Sequence, residues 1–185
     1  FKTLRTHSRG GATVKDVVMG TEFFSNREMN ESYLVALPGG ESAWIDKKGT
    51  VVVKVGEEIP KTDTTQFLET VLQLKGTVYL WGGVSSRGID SSGLTYIAAR
   101  VNGVILPRDA KGQFEKGHEI TPKLMKAGDL LFFSNTTDLE DISLVGVCLG
   151  DGTFIHASSS KGYVTITSVD DPYYRERLAG VRRIF

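Results

Sequence analysis

The sequence predicts an α+β protein in two parts: a small all-β barrel over residues 1 to 58, then a larger domain over 59 to 185 with helices packed on an antiparallel sheet. Three observations predict this. Up to about residue 58, short apolar runs are broken by Gly, Pro and Asn, the spacing of a small all-β fold. From Asp63 apolar residues recur at helical spacing and later give way to a series of strand-like runs, which is the order of an α+β domain. Between the two, Glu57 to Thr62 with Pro60 reads as the linker.

In the front part the apolar runs are Val17-Val-Met, Thr21-Glu-Phe-Phe, Ser32-Tyr-Leu-Val-Ala-Leu, Ser42-Ala-Trp-Ile and Thr50-Val-Val-Val-Lys-Val55. Turn signals at Leu37-Pro-Gly-Gly40 and Lys47-Lys-Gly49 separate them. In the second part Phe67, Val71 and Leu74 form one helical stripe, with Asp63 or Thr64 as its N-cap. Leu94, Ile97, Ala98 and Val101 form another, which starts after Asp90-Ser-Ser92 and stops at Asn102-Gly103. The remaining segments read as strands: Asp129 to Phe133, Ser143 to Leu149, Thr153 to Ala157, Tyr163 to Thr167 and Val181 to Phe185. Gly150-Asp-Gly152 marks a hairpin, and a short helix is expected from Pro172 to Leu178.

Composition narrows the function classes. Lys plus Arg and Asp plus Glu are both 22, so the balanced chain has no field to gather nucleic acid or an anionic membrane. The cluster Arg175, Arg177, Arg182 and Arg183 reads as a solvated helix face followed by an edge strand. No stretch approaches the roughly 18 apolar residues of a membrane span. The single cysteine, Cys148, allows no internal disulfide and reads as a buried structural thiol in the run Val145 to Leu149. His7 and His118 read as surface residues, and no metal or other cofactor is implied. The chain begins at Phe1 rather than Met, so we expect a preceding segment, a signal peptide, a further domain or both, to have been removed.

The chemistry lies in the second part. Val78-Tyr-Leu-Trp-Gly-Gly83, Gly88-Ile-Asp-Ser-Ser-Gly93, Lys126-Ala-Gly-Asp-Leu-Leu-Phe-Phe133, and Leu144 to Gly152 with Phe154-Ile-His-Ala-Ser158 follow one another in order and spacing, with Leu106-Pro-Arg-Asp-Ala110 as a weaker fifth segment. In this set the chain resembles the NlpC/p60 cell-wall peptidases, a papain-like fold with a cysteine at a helix start and a histidine and a third polar residue on the sheet. The front part, through Leu37-Pro-Gly-Gly-Glu-Ser-Ala-Trp-Ile45, is similar to bacterial SH3-like domains, with Trp44 either a core residue or part of a binding face. The resemblance implies an extracytoplasmic or secreted protein of the cell envelope, with peptidoglycan stem peptides or cell wall as partner and room for a protein partner.

Carried over by position, the resemblance places the nucleophile at Ser91, the general base at Leu144 and the orienting residue at His156. A thiol at a helix N-terminus is acidified by the dipole and by a neighbouring imidazolium, then attacks the amide carbonyl. A serine needs a base beside it, and leucine cannot accept a proton. The groove positions Tyr79, Asp90, Ser92, Arg108 and Asp109 keep polar residues, an acid for an ammonium and an arginine for a carboxylate, or an ion pair between Arg108 and Asp109. Asp90 and Ser91 are also good helix N-caps. Three readings stay open: a pseudoenzyme that binds γ-D-Glu-containing wall peptides without cleaving them; an active peptidase in which Ser91 is an engineered replacement of the catalytic cysteine; and a structural or partner-binding module acting through its SH3-like part.

Overall fold

The computed structural model describes residues 1–136 and 141–185, which form two compact units, Phe1–Ile59 and Pro60–Phe185.

The first unit is one antiparallel sheet of β1 (Lys2–His7), β2 (Gly10–Val17), β3 (Ser25–Met29), β4 (Ser32–Ala36) and β5 (Ser42–Asp46), in the order β2-β1-β5-β4-β3. Alternation on β1, β4 and β5 turns Leu4, Val35, Ala43 and Ile45 to one face, where they form the core with Val17, Phe23, Tyr33 and Leu37 against it. Trp44 lies between Ala43 and Ile45, opposite Arg5 in the ladder, and is only partly buried; it is not a core residue. Several expectations fail here: of Val17-Val-Met only Val17 lies in a strand, and Thr21–Phe24 lies in none, with Phe24 75% exposed. Thr50–Val55 is irregular, with Val51, Val52 and Val55 61%, 65% and 87% exposed, because β-branched residues favour a strand only where a ladder partner and a buried face exist. The polar segments Lys2–His7 and Ser25–Met29 are strands instead, held by their neighbours rather than by their own composition.

In the second unit the capping box of Asp63 and Gln66 starts α1 (Thr64–Gln73), whose Phe67 and Val71 are buried. A hairpin of β6 (Val84–Ser85) and β7 (Gly88–Ile89) leads into α2 (Ser91–Val101), which buries Leu94, Ile97 and Ala98. Asn102 ends α2 and ties it to α1: its amide donates to Ala98 O at 2.8 Å and Thr70 Oγ1 at 2.9 Å, and its Oδ1 accepts from Thr62 Oγ1 at 2.6 Å. A third helix, α3 (Ala110–Lys116), was not expected, since its seven residues carry too short a stripe to show a period.

The sheet runs β12-β11-β10-β9-β13-β8, built from β8 (His118–Ile120), β9 (Leu130–Ser134), β10 (Ile142–Cys148), β11 (Thr153–Ser158), β12 (Tyr163–Ser168) and β13 (Leu178–Arg183). Helices α2 and α3 pack on its middle strands, and α4 (Pro172–Arg175) precedes β13. Every pairing in it is antiparallel. Contrary to expectation β13 is an inner strand, paired with β9 and β8, and its arginines are not simply solvated. Arg183 forks onto the buried carboxylate of Asp129 at 2.7 and 2.8 Å, and the Arg182 guanidinium lies 3.8 Å from the centre of the Phe114 ring. Phe185 stacks on Phe67 at 4.8 Å, and Lys61 donates to Ile184 O at 3.0 Å.

Candidate functional site

Residue 91 is placed by the run from β7 into α2. Asp90 is the N-cap, with extended backbone and its Oδ1 accepting from Gly93 N at 2.7 Å, so Ser91 is the first helical residue. A thiolate at that point would be stabilised by the free N–H groups and the helix dipole; a neutral hydroxyl gains little. Ser91 is 9% exposed and its hydroxyl bonds no described residue.

Asp90 is the hub of this end of the helix. Its Oδ2 accepts from Gly82 N at 2.8 Å, and Arg108 bridges both oxygens, at 3.0 Å to Oδ1 and 2.7 Å to Oδ2. Arg108 also donates to Ser92 Oγ at 2.9 Å and to Gly83 O at 3.2 Å. Of the two alternatives for Arg108 and Asp109, the ion pair between them does not form: Arg108 pairs with Asp90, and the Asp109 side chain caps α3 through Gly112 N at 2.9 Å. The Trp81–Gly83 loop can come this close only because position 93 is glycine: a Cβ there would collide with the Gly83 carbonyl oxygen. Burial, and next the charge of Asp90, push the Tyr79 phenol above its ordinary value and keep it a hydrogen-bond donor.

Gln113, fully buried, joins α3 to the same place. Its amide donates to Ser92 O at 3.0 Å and Pro107 O at 2.9 Å, and its Oε1 accepts from Thr95 Oγ1 at 2.6 Å. Gln113→Leu takes a buried donor from Ser92 O, a part-buried one from Pro107 O and the acceptor from Thr95 Oγ1, and is expected to cost about 2 kcal/mol, read as a lower urea midpoint.

The two sheet positions lie in an apolar and aromatic cluster. Leu144 packs against Leu131, Phe133, Cys148 and Phe154 with Tyr174. His156, completely buried, stacks on Phe154 at 4.8 Å and meets Tyr174 edge-on at 5.1 Å. Its Nε2 is 3.1 Å from Thr167 Oγ1, and its Nδ1 has no hydrogen-bond partner among the described residues; the Ala157 backbone favours the charged form slightly without hydrogen-bond geometry. Burial, helped by the charge of Lys161, lowers its pKa to about 4, so the ring is neutral at physiological pH. In the unfolded chain it would titrate near 6.5, so the unfolded state takes up the proton first as pH falls. We expect stability to be fully present above pH 6.5 and to fall by roughly 3 kcal/mol by pH 4, and His156→Gln to remove that part of the slope in urea titrations at stepped pH.

With this geometry in hand, comparison with known proteins is decisive: residues 76–183 match the family model described as NlpC/P60 family. The chain belongs to the NlpC/P60 family. Among curated NlpC/P60 relatives, the γ-D-glutamyl-L-lysine dipeptidyl-peptidase of Bacillus cereus is 32% identical over 152 residues, covering 82% of this chain and 46% of its own. The chain spans about half the length of the curated relatives it matches. A crystal structure of an NlpC/P60 family protein from Bacillus cereus superposes with a TM-score of 0.87 at 28% identity, over 98% of this chain and 59% of that one. RipD of Mycobacterium tuberculosis, described as a non-catalytic NlpC/p60 domain protein adapted to peptidoglycan binding, shares the fold at a TM-score of 0.55 and 21% identity, over 66% of this chain and 97% of its own.

Within the NlpC/P60 unit, then, Asp90, Ser92 and Arg108 meet around the start of α2 with Ser91 among them, and Tyr79 feels the same carboxylate. Asp109 is exposed and turned to its own helix, while Leu144 and His156 share the aromatic cluster. Gln113, Thr95 and Gly82 were missed as parts of the site. Gln113 lies in a helix too short to show a period, so the sequence gives no stripe against which its polarity would stand out. Cys148 is buried and its thiol is pushed up by burial, and His7 and His118 are exposed. Among the described residues no group of three His, Cys, Asp or Glu side chains could hold a metal ion, and no helix is long and apolar enough to cross a membrane.

Proposed function

We propose that this NlpC/P60 chain binds γ-D-Glu-containing cell-wall peptides at the start of α2 without cleaving them. One observation carries the reading: the hydroxyl at the nucleophile position bonds no base, Leu144 stands where the base would be, and His156 is buried, neutral and bonded to Thr167. Loss of nucleophile or base alone costs roughly a millionfold in turnover, so a serine without a base has no route to useful rate. Two substitutions at separate positions favour loss of catalysis over a single engineered change. Ligand contacts are supplied by Tyr79, Ser92 and the rim of the Asp90–Arg108 pair. RipD gives a precedent in this fold for peptidoglycan binding without catalysis. On this reading the front unit is an SH3-like domain, residues 1 to 58 and 59 to 185 are the two domains, and the protein acts outside the cytoplasm, as suits a partner in the wall. Calorimetric titration with L-Ala-γ-D-Glu-diaminopimelate tests it: heat without product in mass spectrometry is expected, and the absence of heat at millimolar peptide overturns it.

A second reading, an active peptidase, is favoured by the placing of Ser91 on the first residue of α2 and by the likeness to the γ-D-glutamyl-L-lysine dipeptidyl-peptidase of Bacillus cereus. Product formation that Ser91→Ala abolishes would establish it in place of the first.

A further inference from the structure

The outer face of the front sheet carries a concentration of positive charge that the wall-peptide site does not use. Thr3, Arg5 and His7 alternate on β1 away from the Leu4 face, and Trp44 stands beside Arg5 across the ladder. With Arg9 and Asp46 they line a hollow of about 160 Å³. A second hollow, of about 260 Å³, adjoins it through Thr3, Arg5 and Asp46 and adds Lys2 and Lys48.

The first unit as a whole is neutral, with eight Lys and Arg and eight Asp and Glu in residues 1–59. Four of those eight cations and one acid, Asp46, line this strip, with a second acid, Asp16, accepting from Thr3 Oγ1 at 2.8 Å beside it. The cations form no ion pair among the described residues, although the charge of Asp46 acts on Lys2. Arg5 donates to Gly11 O, Arg9 to Asn30 Oδ1 and Lys2 to Asp46 O and Thr50 Oγ1, all neutral acceptors. None of Lys2, Arg5, Arg9 and Lys48 has a carboxylate within 4.0 Å among the described residues. Elsewhere in the same unit Lys47 does pair, with Glu28 at 2.9 Å. The one acid of the strip, Asp46, accepts from Lys48 N at 2.9 Å.

We infer that this strip is a second binding site, for a short extended acidic peptide. Length follows from the strand: Thr3 to His7 spans roughly 13 Å, the reach of a peptide of three to four residues. Charge follows from the four cations without an ion pair, with Asp46 to receive the peptide's own ammonium. The half-buried indole of Trp44 supplies a flat apolar surface for the ligand backbone or side-chain stems. A neutral or basic peptide finds no counterpart here.

The site lies in the first unit, so it stands or falls apart from the α2 groove. The test is a titration of the ¹⁵N-labelled full chain with triglutamate, followed by two-dimensional NMR. We expect saturable shifts of the Arg5 and His7 amides and the Trp44 indole, no shifts there with trilysine, and about tenfold weaker binding in the Arg5→Gln/Arg9→Gln variant. Should that variant not fold, the exposed Arg9→Gln alone is expected to weaken binding about threefold. Silence of these resonances at millimolar triglutamate, or equal shifts with inorganic phosphate at matched ionic strength, overturns the inference. Shifts confined to residues around Asp90 overturn it too, while leaving the wall-peptide reading in place.

Discussion

Asp90→Asn should destabilise the second unit by about 3 kcal/mol or more, measured as a fall in urea midpoint at constant slope. The carboxylate is only 11% exposed in its side chain and takes four donors at 3.0 Å or less: Gly93 N, Gly82 N and both terminal nitrogens of Arg108. An amide keeps the shape, but one of its two ends turns from acceptor to donor and faces N–H groups. It also strips the guanidinium of its counter-charge. Arg108 is 37% exposed, so water recovers part of that loss, which sets the expectation at the lower end of the range for broken buried pairs. Arg108→Met is the informative contrast. There Asp90 keeps two backbone donors, and we expect a cost of about 1 to 2 kcal/mol. A larger loss from Arg108→Met than from Asp90→Asn would mean that the arginine's own packing, rather than the carboxylate, organises the start of α2.

The combined variant Ser91→Cys/Leu144→His is expected to gain measurable cleavage of L-Ala-γ-D-Glu-diaminopimelate, while each single change stays silent. Cysteine at the first residue of α2 meets the conditions that lower a thiol pKa, but without an imidazole there is no proton donor for the leaving amine. Histidine at 144 alone has only a serine whose hydroxyl bonds no described residue. Because the members of such a unit act together, restoring one recovers almost none of a loss that is roughly a millionfold. His156 favours success of the pair, because its Nδ1 is free to bond a new ring while Thr167 holds Nε2. Product appearing with the double variant in mass spectrometry, and not with Ser91→Cys, is the expected result; equal activity in both would remove Leu144 from the explanation.

Much of this site could be read along the chain because its signals are local. The caps at Asp63 and Asp90, the stripe Leu94, Ile97 and Ala98, and the Gly150–Gly152 turn each act over a few residues, and all appear as expected. What could not be read is what depends on distance in sequence. Arg108 could equally have met Asp109 beside it; only the approach of the Gly82–Gly83 loop and the α3 segment to α2 decides for Asp90, 18 residues away. The Arg175 to Arg183 cluster looked solvated because nothing local reveals that β13 inserts between β9 and β8 and brings Arg183 to Asp129. In the front unit the β-branched run Thr50–Val55 promised a strand but pairs with neither edge of the sheet, whereas polar Ser25–Met29 is paired with β4. Pattern chooses elements where the chain itself supplies the partner, and loses that power where the partner comes from far away.

The pairing of Phe185 with Phe67, and of Lys61 with the carbonyl of Ile184, joins residues 118 or more positions apart. A nascent chain therefore cannot finish this unit while residue 185 is still inside the ribosome. Helix α1, though among the first segments of the unit to emerge, must wait with Phe67 uncovered for nearly the whole of its synthesis. The strands of the front unit, closed by residue 46, meet no such delay, so the two units are expected to fold in sequence, the first on the ribosome and the second only after residue 185 has cleared it.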